Sequence, residues 1–221
     1  MEQAEAARRV VLFDFDGVLI RGDAFSMFMR DCYARARWRK ALVVLSSPWL
    51  LVVLPFSRRR IMRTLVHLGL LGVREARYRA LVQAFAATLV RRPGHFHRDG
   101  LRTLRRHQAA GDRIVIVTGC EDSLVRAVLA ELGVVDVEVL ASRLREGRLG
   151  LRADWHNVGH RKVELLARHG IDAWHVAYGD SDHDLPMLAL AGEAVLVNAT
   201  PRFCRRVEKA LGRAVTRAEW S

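Results

Sequence analysis

Two acids two residues apart, Asp14 and Asp16, follow the apolar run Val10–Phe13 and precede Gly17. Residues i and i+2 of an extended strand point to one side. Two carboxylates crowded there repel unless a cation sits between them. Asp180 and Asp184 bring further negative charge from a distant part of the chain. An oxygen-only cluster of this kind suits a hard cation such as Mg²⁺. A metal so held neutralises a phosphate, which frees one carboxylate to act as nucleophile and its neighbour as general acid/base.

The phosphate oxygens need donors of their own. Thr118 offers a hydroxyl, and the amides of Gly119 and Cys120 are expected at a helix start, where anions bind readily. Lys162 is one of only three lysines among the 36 basic residues. Its compact ammonium could pin a nucleophile and a phosphate together as a point charge.

The elements that must position these groups are short apolar runs alternating with helical patterns. Val10–Phe15, Arg113–Thr118, Val134–Leu140, Trp174–Tyr178 and Ala194–Val197 read as buried strands. Ser123–Leu132 and Arg161–His169 read as helices, the latter stopped by Gly170. The alternation predicts an α/β fold, a three-layer Rossmann-like parallel sheet covered on both faces. In such sheets ligands bind beyond the carboxyl ends of the strands, where all the acidic and hydroxylated turns fall. Residues 22–94 contain helical segments and no convincing strand, so they predict an all-helical insert, a cap, within a core made of 1–21 and 95–221.

At 221 residues the chain has room for one domain with such an insert. Cys32, Cys120 and Cys204 are widely spaced and odd in number, which excludes a disulfide framework or a CxxC metal site. His156 and His160 have the spacing of zinc ligands on a helix, but Gly159 lies between them and no third ligand is near, so they read as loop histidines. Glu2, Glu5, Arg8 and Arg9 leave no apolar stretch for a secretory leader, and a cytoplasmic location is expected.

The net charge of +12 is concentrated: nine basic residues and one acid lie between Arg30 and Arg63. No helix-turn-helix or aromatic-interleaved pattern accompanies them, so no nucleic acid is expected. Within this stretch the run 41–56 is apolar apart from two serines, and Pro48 and Pro55 interrupt it. As one helix it would span about 24 Å at ~1.5 Å per residue, short of the ~30 Å hydrocarbon core. It reads either as a buried helix pair or as an interfacial hairpin. Arg35, Arg37, Arg39 and Lys40 on one side and Arg58, Arg59 and Arg60 on the other would then meet an anionic surface, such as the inner face of the cell membrane.

Four segments now form a pattern: FDFDGVL at 13–19, VTGC at 117–120, Lys162 within VGHRKVELL, and GDSDHDLPML at 179–188. In order and spacing they resemble the four motifs of haloacid dehalogenase superfamily phosphatases. The resemblance implies Asp14 as phosphoryl-accepting nucleophile, and Asp16 as acid/base and metal ligand through its backbone carbonyl. It implies Thr118, Gly119 and Lys162 around the phosphoryl group, Asp180 as a third Mg²⁺ ligand, and Asp184 behind it. Val18 stands where many relatives carry Thr. The acid at position 16 resembles the phosphatases rather than the dehalogenases, which lack it.

The insert between the first two motifs resembles the helical cap of the phosphoserine-phosphatase-like branch. The Arg-flanked apolar cap, HNVGHRKV at 156–163 and VTRAEW at 215–220 resemble the bacterial C-type phosphatidylglycerophosphate phosphatases. A phosphorylated small molecule or lipid is the substrate this implies, a phospholipid head-group phosphate or a soluble phosphoserine-like or sugar phosphate. A non-catalytic membrane- or nucleic-acid-binding module would leave Asp14 and Asp16 without a purpose.

Overall fold

The computed structural model describes residues 8–53 and 57–221. The first seven residues, read above as free of a leader, and positions 54–56 of the apolar run lie outside the described residues.

Seven strands form one sheet: β1 Val10–Phe13, β2 Arg113–Glu121, β3 Glu138–Gly147, β4 Gly150–Trp155, β5 Trp174–Gly179, β6 Ala191–Val197 and β7 Thr216–Ala218. Their spatial order is β4-β3-β2-β1-β5-β6-β7, and all neighbours are parallel except β3 and β4. Alternate residues of the inner strands enter two cores. Val11, Phe13, Ile114 and Ile116 face one side, while Leu12, Val115, Val117 and Leu140 face the other. A strand buried on both faces reads as a continuous apolar run. Strand order reverses direction at β1, so the crevice beyond its carboxyl end is the place for a ligand.

Ten helices complete the described fold. Six lie in sequence between β1 and β2, the first five of them in the insert: α1 Ala24–Arg35, α2 Arg37–Leu45, α3 Ser47–Val53, α4 Arg58–Gly69 and α5 Glu75–Val90. The others are α6 Arg98–Ala109, α7 Asp122–Glu131, α8 His160–Arg168, α9 Leu185–Ala189 and α10 Pro201–Leu211. Phe28 of α1 packs edge-on against Tyr78 and Phe85 of α5, with ring centroids 5.6 and 5.5 Å apart. The two connections to this helical insert run side by side. His97 donates its amide to Leu19 O at 3.0 Å, and Arg21 donates to His95 O at 2.7 Å, with Ile20 bridging to Phe96.

Several expected boundaries move. β1 stops at Phe13, so Asp14 and Asp16 lie in the turn beyond it rather than on one strand face. β2 runs on to Glu121, and α7 begins only at Asp122. The Gly119 and Cys120 amides therefore sit at a strand end and not at a helix start. β3 begins at Glu138 instead of Val134, because Gly133 and Asp136 both adopt positive φ and turn the chain first. β4, which is antiparallel, and the edge strand β7 were not expected at all.

The apolar run 41–56 breaks after Leu45. Ser46 caps α2, and α3 starts again at Ser47, just before Pro48. Val44 and Leu45 are 71% and 79% exposed, and Leu51 and Val52 are each 67% exposed. These four side chains are not packed in a buried helix pair. No helix among the described residues is long and apolar enough to cross a membrane.

Candidate active site

The site grows from the turn that ends β1. Asp14 is buried, and its amide donates to Tyr178 O of β5 at 3.0 Å. Its Oδ1 accepts from the Phe15 amide at 2.8 Å and lies 3.0 Å from Lys162 Nζ. Oδ2 has no partner among the described residues. Lys162 sits in the first turn of α8, which Gly159 opens with φ 61°. Its ammonium also reaches Asp184 Oδ1 at 2.5 Å, so one buried cation bridges two buried carboxylates.

Asp184 Oδ2 is fully engaged as well. It accepts from the amides of Asp180 and Ser181 and from Ser181 Oγ, each at 3.1 Å. Burial opposes its ionisation, but Lys162 and these donors outweigh burial and hold the carboxyl below its ordinary value. Lys162 shows the mirror image: burial favours the neutral amine, yet Asp14 and Asp184 drive its pKa upward. Asp14 is pushed well up, by burial first and then by Asp184.

Asp180 behaves differently. Burial and then Asp184 raise it to about 6, and its carboxylate has no hydrogen-bond donor from another residue among those described. It occupies space that glycine leaves open at position 17, where φ is +76°. Carboxylate oxygens of Asp14, Asp180 and Asp184 all lie within 4.8 Å of one another. An oxygen-only set, with one member unsatisfied and short of positive charge, fits a hard divalent cation.

The Asp16 carboxylate is not part of that cluster. It turns toward α1 and accepts from the Ala24 amide at 2.8 Å. Burial is the main reason its pKa rises to about 7. A group titrating near neutrality can both give and take a proton at working pH.

Thr118 is fully buried in β2, where the register against β3 shifts between Val117 and Glu121. The bulge takes residues 118–120 out of the regular ladder. Thr118 Oγ1 accepts from the Cys120 amide at 3.0 Å. Gly119 is held from behind by Ser142 Oγ, which donates to its carbonyl at 2.6 Å. A Cβ at Gly119 would stand 2.9 Å from Val158 Cγ1, so the loop before α8 packs directly on this turn. Just beyond, Tyr78 of α5 donates to Glu121 Oε2 at 2.6 Å and ties the insert to the end of β2.

Four further basic side chains, Arg59, His156, Arg161 and His183, were not singled out as site residues from sequence. His156 Nε2 lies 3.9 Å from the Cβ position of Gly119, and the Gly159 amide donates to His183 O at 3.0 Å. Partial desolvation and the charges of Arg59, His183 and Arg161 hold the His156 ring below its ordinary value. Arg59, from α4 of the insert, feels Arg161 of the core in the same way. Arg161 stacks 4.6 Å from the Trp155 ring. Asp182 instead forms a surface pair with Arg206 at 2.6 Å, as suits a loop acid.

With a doubly covered sheet and four chemical turns meeting at the end of β1, the chain belongs to the haloacid dehalogenase-like hydrolases, whose family pattern matches residues 11–189. It is 31% identical over 194 residues to Protein CicA of Caulobacter vibrioides, covering 83% of each chain. Its fold is similar to a protein of unknown function from Bordetella pertussis Tohama I, with TM-score 0.72, 19% identity, and 95% and 98% of the two chains covered. A substrate-bound phosphoserine phosphatase shares the fold at TM-score 0.59 and 18% identity, over 97% and 94% of the chains. The expected branch thus holds at the level of the fold.

Proposed function

We propose that this chain is a Mg²⁺-dependent phosphatase that hydrolyses a phosphomonoester through an aspartyl-phosphate on Asp14. The observation that carries the reading is Lys162, buried between Asp14 and Asp184 beside the unsatisfied Asp180 carboxylate. Lys162 and the Phe15 amide hold Oδ1 of Asp14, which leaves Oδ2 as the oxygen to attack phosphorus. Thr118 Oγ1 and the Gly119 amide would bind the phosphoryl oxygens. Asp16 donates a proton to the leaving oxygen, then takes one from the water that cleaves the Asp14–phosphorus bond and releases phosphate.

Asp14, Asp180 and the backbone carbonyl of Asp16 would hold the Mg²⁺, with Asp184 orienting Asp180 from behind through its amide. When bound, the ion supplies the positive charge that the phosphoryl group and the carboxylates lack. Helices 22–94 would act as the cap over the 1–21 and 95–221 core.

The substrate class proposed is a phosphomonoester with a second negative charge, such as the head-group phosphate of phosphatidylglycerophosphate. Arg59 and Arg161 support the charge, and exposed Val44, Leu45, Leu51 and Val52 support a lipid-borne substrate at an anionic membrane surface. The phosphoserine phosphatase fold favours a second reading, a soluble phosphoserine-like substrate whose carboxylate meets the same two arginines.

A panel of phosphatidylglycerophosphate, phosphatidic acid, phosphoserine and sugar phosphates, with and without Mg²⁺, tests these readings. Asp14→Asn should leave no measurable turnover, because uncatalysed phosphate-monoester hydrolysis is extremely slow. Retention of more than a few per cent of the wild-type rate rules out the covalent route.

A further inference from the structure

A cleft of about 1020 Å³ opens on the outer side of the insert, between the α1–α2 junction, the first turns of α5 and the tip of the β3–β4 hairpin. It is walled by arginine and apolar side chains and has no acidic lining residue. Two of its arginines are neutralised, Arg35 by Asp31 and Arg74 by Glu146. Three are not: Arg39, Arg77 and Arg148 have no carboxylate partner among the described residues. Arg39 gives one nitrogen to Leu71 O at 3.0 Å, while its buried Nε has no partner. Trp38 and Leu149 stand at the rim, 53% and 67% exposed, and Leu81 lines the wall.

The cleft is built rather than incidental. The loop after α4 is fastened to the hairpin tip, with the Gly72 amide donating to Leu149 O at 2.8 Å. Arg74 reaches the carbonyls of Gly147 and Arg148 at 3.2 and 3.4 Å. A Cβ on Gly150 would stand 2.5 Å from Leu70 O, so the hairpin tip is glycine where it meets the loop. Unneutralised guanidiniums beside exposed apolar side chains recognise a ligand with an anionic head and an apolar body.

α2 connects this cleft to the exposed apolar helices. Trp38 and Arg39 lie in its first turn, and Val44 and Leu45 end it, about 9 Å away at ~1.5 Å per residue. One interfacial layer of a bilayer is roughly 5–8 Å thick. With α2 along the membrane normal, Arg39 would stand at head-group depth and Val44 and Leu45 in hydrocarbon.

We propose that the cleft bounded by Arg39, Arg77 and Arg148 is a non-catalytic site for the head group of an anionic phospholipid, docking the insert on the bilayer that α2 and α3 enter. The docking half of this proposal rests on the membrane-facing reading of α2 and α3. The site itself does not.

The test uses the full chain carrying Asp14→Asn, so that bound lipid is not consumed. Dihexanoyl phosphatidic acid, below its micelle concentration, and phosphatidylcholine vesicles containing phosphatidic acid are the two probes. Dihexanoyl phosphatidylcholine and glycerol phosphate are the controls. The short-chain phosphatidic acid should bind, and Arg77→Gln with Arg148→Gln should weaken it on the order of 10-fold or more, at about one lost head-group contact per arginine. Arg91→Gln with Arg92→Gln, the same charge change at the exposed far end of α5, should leave binding unchanged. Equal loss in both pairs, no binding of the short-chain lipid, or equally tight binding of glycerol phosphate would overturn the site. Short-chain binding that depends on Arg77 and Arg148, without vesicle binding, upholds the site and overturns the membrane docking. Thermal melts of both variants guard against a folding defect.

Discussion

Asp180 stands where a side chain at residue 17 would go: a Cβ built on Gly17 falls 1.9 Å from Asp180 Oδ2. The motif glycine is therefore set by two demands, a left-handed backbone at φ +76° and room for a carboxylate from a distant strand.

Gly17→Ala should cost roughly 1–2 kcal/mol in backbone strain and also displace Asp180. Mg²⁺ affinity, read by calorimetry, should fall at least ~10-fold. Gly133→Ala is the control, since its φ of +66° imposes similar strain but a Cβ there meets nothing within 4 Å. It should lose stability and keep its Mg²⁺ affinity. If both variants bind Mg²⁺ normally, Asp180 is not a ligand.

Removing Lys162 leaves Asp14 and Asp184 buried without a counter-charge. Breaking a buried ion pair from one side costs about 3–5 kcal/mol, so Lys162→Ala should show a large drop in urea midpoint. Adding Asp184→Asn should recover part of the loss, because it removes one of the stranded charges. A double variant no more stable than the single one would show that the coupling is absent.

Metal-free protein should become less stable as pH rises from about 4 to about 7. The folded-state values of Asp16 and Asp180 are raised to about 7 and about 6. Over that window the native state holds protons that the unfolded chain has released, and stability falls with pH. Mg²⁺ should offset the part of the trend owed to Asp180, so its effect on melting temperature should be larger at pH 8 than at pH 5. A Mg²⁺ shift independent of pH would mean that the Asp180 carboxylate does not face the ion.

Tyr78→Phe should destabilise the protein by about 1.5–3 kcal/mol, the range for a hydrogen bond to a charged acceptor. It severs the contact to Glu121, which also caps α7 through the Leu124 amide at 3.1 Å. Urea titration measures it, and an unchanged midpoint would remove this link between insert and core from the account.

Arg59→Ala should raise KM for substrates with a second anionic group and leave p-nitrophenyl phosphate nearly unaffected. Comparable losses on both would assign Arg59 to the phosphoryl group itself, and no loss on either would remove it from the site.

The α/β alternation and the chemical turns were legible because inner strands are continuous apolar runs and the acids follow them directly. β4 and β7 escaped notice for the opposite reason. Arg152 and Asp154 in one, and Thr216 and Arg217 in the other, face solvent at the sheet margins, where no apolar run is required. Asp14, Lys162 and Asp184 could be named from motif spacing, but not the bridge that Lys162 makes between the other two. Arg59 read from sequence only as one of the basic residues flanking the apolar run, since the packing of α4 on β4 is what brings it to His156. Likewise Arg77 and Arg148 share a cleft although 71 residues separate them, because Arg74 pins the start of α5 to the hairpin tip.

The paired segments around Ile20 and Phe96 make the insert's attachment a ribbon rather than two separate tethers. Two loose linkers would let the helices wander in every direction over the crevice. A hydrogen-bonded pair resists shear along its own length and bends most easily out of its plane, so any swing of the insert would run about one axis. The same axis carries His97, which starts α6, and Leu19, four residues from Phe15 on the catalytic turn. Such a swing would load the backbone near Asp16, the residue proposed above to move the proton.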